Sequence, residues 1–91
     1  MWQVEFTPKA RKQFKKLPQA VKEQSVLLIK EMELLGPTRG NWPNFSKLSK
    51  VDYHCHLRKG KPTYVAFWEV VNKKINLIEV YYVGTHEKAP Y

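Results

Sequence analysis

The sequence predicts an α+β fold in which two N-terminal helices pack on a small, mainly antiparallel four-stranded sheet, in the order β-α-α-β-β-β. Three observations carry this reading. Apolar residues alternate with polar ones near the start and through most of the second half, the period of a half-buried strand. Between those stretches, apolar residues recur at spacings of three and four, as on one face of a helix. Glycine and proline punctuate the joins. The sheet needs a covered face, and the only apolar helix stripes available are in the first half of the chain.

Trp2 to Thr7 sets Trp2, Val4 and Phe6 against Gln3, Glu5 and Thr7, so it reads as the first strand. Thr7 followed by Pro8 is an N-cap followed by proline at the first helical position, where a missing N–H costs nothing. Ala10, Phe14 and Leu17 form the apolar stripe of the first helix, whose other faces are basic. Pro18 interrupts that helix and opens the second, with Val21, Ser25, Leu28, Met32 and Leu35 directed inward and Ile29 widening the stripe. Gly36-Pro37 ends it, because glycine accepts a left-handed C′ position and proline cannot continue a helix. Residues 36–46 read as a loop pinned by Trp42 and Phe45.

Val51 to Arg58 alternates again, and Lys59-Gly60-Lys61-Pro62 reads as a hairpin turn. Thr63 to Val71 is almost continuously apolar, as a central strand covered on both faces would be. Asn72-Lys73-Lys74 is the next turn, Ile75 to Val83 the last strand, and Gly84 its end, leaving a tail from Thr85 to Tyr91. No repeat, linker or low-complexity segment interrupts residues 1–91, which read as a single domain.

Composition excludes several classes. The 43% hydrophobic and 13% aromatic content is too high for a disordered chain. One cysteine, Cys55, leaves no intrachain disulfide and suits a reducing cytosol. No apolar run approaches the roughly 20 residues that span a membrane, and the N-terminus lacks the zones of a signal peptide. Sixteen Lys and Arg against eight Asp and Glu give a formal charge of +8, the balance of a polyanion binder. Lys9, Arg11, Lys12, Lys15 and Lys16 crowd the first helix, while Lys47, Lys50, Arg58, Lys59 and Lys61 bracket the centre. Acidic residues gather in the second helix as Glu23, Glu31 and Glu33. Nucleic acid, an acidic protein, or solubility alone would each account for this charge.

The strand Tyr53-His54-Cys55-His56-Leu57-Arg58 is the informative one. Alternation puts Tyr53, Cys55 and Leu57 on the core side and His54, His56 and Arg58 together on the other. His86 lies beyond the last strand, and Tyr91 closes the chain. Imidazoles can serve as base and acid near neutral pH, and a guanidinium can hold phosphate and stabilise developing charge. These groups suffice for RNA cleavage by the ribose 2′-OH without metal. The plainer alternatives are solvated histidines on an exposed face, an Arg58 that serves a loop, and a Tyr91 that plugs a frayed end. Zinc could take the three histidines, yet no carboxylate is evidently placed to complete the site and Cys55 points to the other face. Trp2, Trp42 and Trp68 read as core.

At this point the chain resembles toxins of the RelE/ParE superfamily, the toxic halves of bacterial type II toxin–antitoxin pairs, and within it the RelE and HigB branch. The resemblance covers essentially the whole chain: Val4-Glu5-Phe6-Thr7-Pro8-Lys9-Ala10, Phe14-Lys15-Lys16-Leu17-Pro18, Lys47-Leu48, Tyr53 to Arg58, and Gly84-Thr85-His86-Glu87-Lys88 with Tyr91. Order and spacing together carry it, rather than any single motif. It implies two N-terminal helices on a curved, mostly antiparallel sheet. It also implies a cytoplasmic, metal-independent endoribonuclease that cuts mRNA in the ribosomal A site and needs no cofactor. The products would be a 2′,3′-cyclic phosphate and a 5′-OH.

Carried over residue by residue, the resemblance makes His54 and His56 the base or phosphate contacts. His86 falls where members carry Arg or His near the end of the last strand, and Tyr91 matches a C-terminal Tyr that stacks on the nucleotide. The cleavage chemistry itself then puts Arg58 on the phosphate and makes His86 the acid or a second phosphate ligand. Lys47, Lys50, Lys59, Lys61, Arg11, Lys12 and Lys15 would contact RNA. Where many ribonuclease members carry an Arg early in the strand after the hairpin, this chain has Pro62-Thr63-Tyr64-Val65-Ala66. Either Arg58 or Lys61 substitutes, or the site is weaker or different. The implied partners are an acidic, partly disordered antitoxin, the ribosome and mRNA, with operator DNA bound only through the antitoxin complex and no membrane. A ParE-like inhibitor of DNA gyrase and a non-catalytic RNA- or ribosome-binding module are the alternatives; neither needs the histidine face.

Overall fold

The computed structural model describes residues Met1–Tyr91. It contains strand β1 (Gln3–Phe6), helices α1 (Pro8–Lys15) and α2 (Gln19–Leu35), strands β2 (Ser46–Lys47), β3 (Asp52–Arg58), β4 (Tyr64–Asn72) and β5 (Leu77–Thr85), and a 3-10 turn, His86–Lys88. The sheet order is β1-β5-β4-β3-β2, with β1 parallel to β5 and every other pair antiparallel. The α+β class and the layering are as expected. The sheet has five strands instead of four, because the two-residue β2 pairs its Ser46 and Lys47 with His54 and Tyr53.

The helix boundaries follow their local chemistry. Thr7 Oγ1 accepts from the Ala10 N–H at 3.1 Å and caps α1. Val21, Ser25, Leu28 and Met32 of α2 are buried, but Leu35 is 67% exposed, since the helix ends there at Gly36. Gly36 sits at φ 92°, and a Cβ on it would lie 3.0 Å from Trp2 Nε1. Both the turn and the ring of Trp2 therefore require glycine. The last strand begins at Leu77 instead of Ile75, because Asn76 takes a left-handed conformation at φ 51°. That strand also runs through Gly84 to Thr85.

The larger core lies between helices and sheet and is built on Trp68, Leu28, Met32, Ile78 and Val80, with Tyr53 and Cys55 from β3. Trp68 is fully buried and donates its Nε1–H to the Pro37 carbonyl at 3.0 Å. Phe45 stacks 6.1 Å from Tyr53 and 6.1 Å from Trp68, so it pins the loop as expected. A second, smaller cluster of Val65, Phe67 and Tyr82 lies on the sheet face away from the helices. No helix is long and apolar enough to cross a membrane.

Glu31 ties the same loop to α2. Its carboxylate accepts from Trp42 Nε1 at 2.9 Å, Asn41 Nδ2 at 3.0 Å and Arg39 Nη1 at 3.3 Å. Chiefly through the bond from Asn41, these contacts lower its pKa below the ordinary 4.5, against the opposing effect of burial. Glu31→Ala should cost about 1–3 kcal/mol in urea unfolding, because it leaves the Trp42 donor without a partner. The depressed pKa means that the ion-pair contribution is present above pH 4.5 and lost as pH falls through the folded-state value. The difference between wild type and variant should accordingly shrink on acidification below that point.

Candidate active site

The face of the sheet opposite the helices carries His54 and His56 on β3, Val65, Phe67 and Glu69 on β4, and Tyr81 and Tyr82 on β5. The helices cover only the other face, so the apolar centre of this one needs a different cover. The C-terminal segment supplies it. Tyr82 donates its hydroxyl to the Thr85 carbonyl at 2.7 Å, and the His86 N–H donates to the Thr63 carbonyl at 2.8 Å. The chain then turns at His86–Lys88 and brings Tyr91 back over the sheet, its ring 5.1 Å from Phe67 and 5.5 Å from His54.

Three imidazoles meet there. Ring centroids are 6.1 Å apart for His54 and His56 and 5.6 Å for His56 and His86, with Tyr91 4.8 Å from His86. His54 is only 8% exposed, so it lies in the floor of the site instead of on a solvated face as alternation implied. Ser46 Oγ and His54 Nδ1 share a hydrogen bond of 2.8 Å, which fixes the ring and aims Nε2 away from β2. Burial lowers the His54 pKa below 6.5, with the Ser46 backbone opposing the effect and His86 adding to it. The His56 pKa is lowered too, mainly by burial, then by His54, His86 and Lys59. The His56 Nδ1 is buried and has no hydrogen-bond partner. No group of three or more His, Cys, Asp and Glu side chains is disposed to hold a metal ion.

Several expected residues lie elsewhere. The register between β3 and β4 slips after His56, so that Arg58 pairs with Tyr64, a residue packed on the helix-side core. Leu57 stays in the helix-side core as expected, but Arg58 leaves the histidine face and lines a shallow cleft with Pro18, Val21, Lys59 and Lys61. The cation His56 feels is Lys59, one residue further on. Lys47 pairs with Tyr53 and stands 5.7 Å from that ring, also on the helix side. Lys50 is exposed in the loop between β2 and β3. Arg11, Lys12 and Lys15 line a separate surface with Phe6 and Pro8. The structure thus gathers His54, His56, His86 and Tyr91, and leaves Arg58, Lys47, Lys50, Lys61 and the α1 cations outside. Sequence reasoning missed Ser46, whose only signal is a pairing partner eight residues away, and Tyr82, which anchors the turn carrying His86.

An unexpected feature borders the site. Glu5, Glu79, Glu69 and Asp52 are paired in register across β1, β5, β4 and β3, forming one row of carboxylates on the histidine face. Like charges directly opposite one another destabilise a sheet. The Glu69 pKa is raised by burial and then by Asp52 and Glu79. The concentration of acid in α2 seen in the sequence is therefore not the main asymmetry of the folded chain.

No family model matches the chain, and no curated protein matches it in sequence. Solved structures do match it in shape. The isolated E. coli RelE toxin superposes with a TM-score of 0.73 at 22% identity, over 99% of this chain and 89% of that one. The chain has the RelE fold. The intact E. coli RelBE toxin–antitoxin complex gives a TM-score of 0.70 at 20% identity, over 97% of this chain and 100% of that one. The RelE–RelB complex of the archaeon Pyrococcus horikoshii OT3 gives 0.63 at 16% identity, over 97% and 98%.

Two outcomes test this geometry. A Cβ on Gly84 would lie 2.8 Å from the Tyr82 hydroxyl and 3.0 Å from its Cζ. Gly84→Ala should push Tyr82 off the Thr85 carbonyl, and hydrogen exchange of residues 85–91 should speed up while the Trp68 core stays protected. Secondly, His54 and His56 have depressed pKa values, so the unfolded chain binds protons more readily than the folded one. Thermal stability should be level above pH 6.5 and fall as pH drops through and below it, with a flatter curve for His54→Asn/His56→Asn.

Proposed function

We propose that this chain is the toxin of a toxin–antitoxin pair and a metal-independent endoribonuclease of the RelE and HigB type, cutting mRNA on the ribosome. The single observation that carries the reading is the convergence of His54, His56, His86 and Tyr91 on the open face of a sheet with the RelE fold. Neither a gyrase inhibitor nor a plain RNA-binding module needs three imidazoles and a phenol in contact.

In the tautomer whose Nδ1 donates to Ser46, His54 presents the Nε2 lone pair, and burial favours the neutral ring. His54 is the base. It takes the proton of a ribose 2′-OH while O2′ bonds to the adjacent phosphorus and the bond from phosphorus to O5′ breaks. His86, exposed at the rim, returns a proton to the departing O5′, leaving a 2′,3′-cyclic phosphate and a 5′-OH. His56 lies between the two and donates to a phosphate oxygen, and Lys59 adds positive charge from the same side. Tyr91, 63% exposed, offers its ring to a base. The imidazoles supply both proton transfers, so the reading gives a metal or cofactor no part.

The same reading places the protein in the cytoplasm and makes its partners the ribosome, mRNA and an acidic, partly disordered antitoxin, with operator DNA reached through that complex. The RelE–RelB complexes among the similar structures support an antitoxin, and the charge of +8 suits an acidic one. The test is inducible expression in bacteria with mapping of mRNA 5′ ends. Wild type should arrest growth and cut translated mRNA, and His54→Ala should lower cleavage about 10²–10⁴-fold. Arrest with intact mRNA would favour the gyrase reading, and no arrest a non-catalytic module.

A further inference from the structure

The cations of α1 are divided between two sides. Arg11, Lys12 and Lys15 face one way, whereas Lys9, Gln13 and Lys16, spaced four and three apart, face the end of β5. There they form a groove of about 480 Å³ with Tyr64, Thr85 and Lys88. No carboxylate lines it; Glu87, next in sequence to Lys88, is exposed and stays out of the lining. The only ion pair in the structure joins Arg39 and Glu31, so all three lysines are free of acidic partners. Leu17, Tyr64 and Val83 place the groove on the helix side of the sheet. It connects with the histidine face around the end of β5, where Thr85 lines the groove and the next residue, His86, belongs to the site.

We propose that this groove binds the phosphodiester backbone of the RNA strand whose neighbouring phosphate sits at the histidines, an assignment that rests on the ribonuclease reading above. The charge pattern on either side of the site argues for it. On β3, Asp52 stands two residues from His54, and the carboxylate row extends from there across the sheet to Glu5. A polyanion leaving the site over that row would meet four like charges. Leaving past Thr85, around the end of β5, it enters a groove lined by Lys9, Lys16 and Lys88. The hydroxyls of Tyr64 and Thr85 and the amide of Gln13 can donate to phosphate oxygens along the same path, although Gln13 Oε1 is already engaged by the Val83 N–H at 3.2 Å. The acidic row and the basic groove together give the bound strand one direction of exit.

The test is fluorescence anisotropy with a short single-stranded 2′-O-methyl RNA, which cannot supply the attacking hydroxyl and so reports binding without cleavage. The full chain is compared with Lys9→Ala/Lys16→Ala/Lys88→Ala and with the charge-matched control Arg11→Ala/Lys12→Ala/Lys15→Ala, over a fourfold range of salt. Each phosphate contact on a single strand contributes about 0.7 to the slope of log K against log salt. The groove variant should therefore have a slope shallower by about 2, and wild type should lose about 20-fold more affinity than it over that range. The control should change the slope by well under half as much. Equal effects of the two triples, an unchanged slope in the groove variant, or no binding by wild type would each overturn the proposal. So would loss of binding to a polyglutamate peptide with RNA binding intact, which would make the groove a protein-docking site. Retained RNA binding in a chain that cuts no mRNA on expression would instead overturn the nuclease reading and leave the groove standing.

Discussion

The architecture depends on one constraint: its central strand is buried on both faces, but the helices cover only one. Ala66 and Trp68 of β4 are sealed by α2 and its neighbours, while Val65 and Phe67 project the other way and are just as buried. Leaving two such side chains in water would forfeit about 1.5–3 kcal/mol each. The chain meets this demand with its last seven residues. Folding Tyr91 back onto Phe67 closes the apolar patch and carries His86 over His56. The groups of the site are brought together by a requirement of the core.

Two irregularities in strand pairing adapt the sheet to that cover. Between β4 and β5 the register slips after Phe67, so Tyr81 and Tyr82 both reach the open face. Tyr82 can then anchor the turn, and burial, followed by the neighbouring Asp52 carboxylate, raises the pKa of the Tyr81 phenol. Between β3 and β4 the slip after His56 keeps Leu57 in the helix-side core and turns Arg58 toward α2. One extra residue in a strand moves every later side chain to the other face. Here that shift takes Arg58 off the histidine face and into a cleft that it shares with Lys59 and Lys61.

These slips explain what could be read in advance. The helix start at Thr7-Pro8, the stop at Gly36, the turn at Gly60 and the central placement of Thr63 to Val71 are decided by neighbours within a few residues, so sequence alone suffices for them. The placing of His54 with His56 on one face needed only alternation, whereas their meeting with His86 and Tyr91 depends on the turn that Tyr82 anchors. The position of Arg58 depends on a pairing slip, β2 on a partner strand, and the carboxylate row on the register of four strands at once. None of these has a local signature. Leu35 shows the converse: a correct helical stripe continues one position beyond the sheet that it was meant to cover.

The carboxylate row is the feature that folding alone would not select. Half of the eight acidic residues are stacked side by side across the sheet, where mutual repulsion and partial burial raise the Glu69 pKa. In a chain with 16 cations, acids placed to stabilise the fold would be expected to pair with them, as Glu31 does with Arg39. The four in the row have no cationic partner. Their effect is on the field outside the protein: a uniformly basic surface holds a polyanion in any orientation, whereas a face that changes sign across the reacting groups holds it in one. On the proposal that RNA is the ligand, a carboxylate row across the sheet of a basic protein acts as an orienting device, tolerated at some expense in stability.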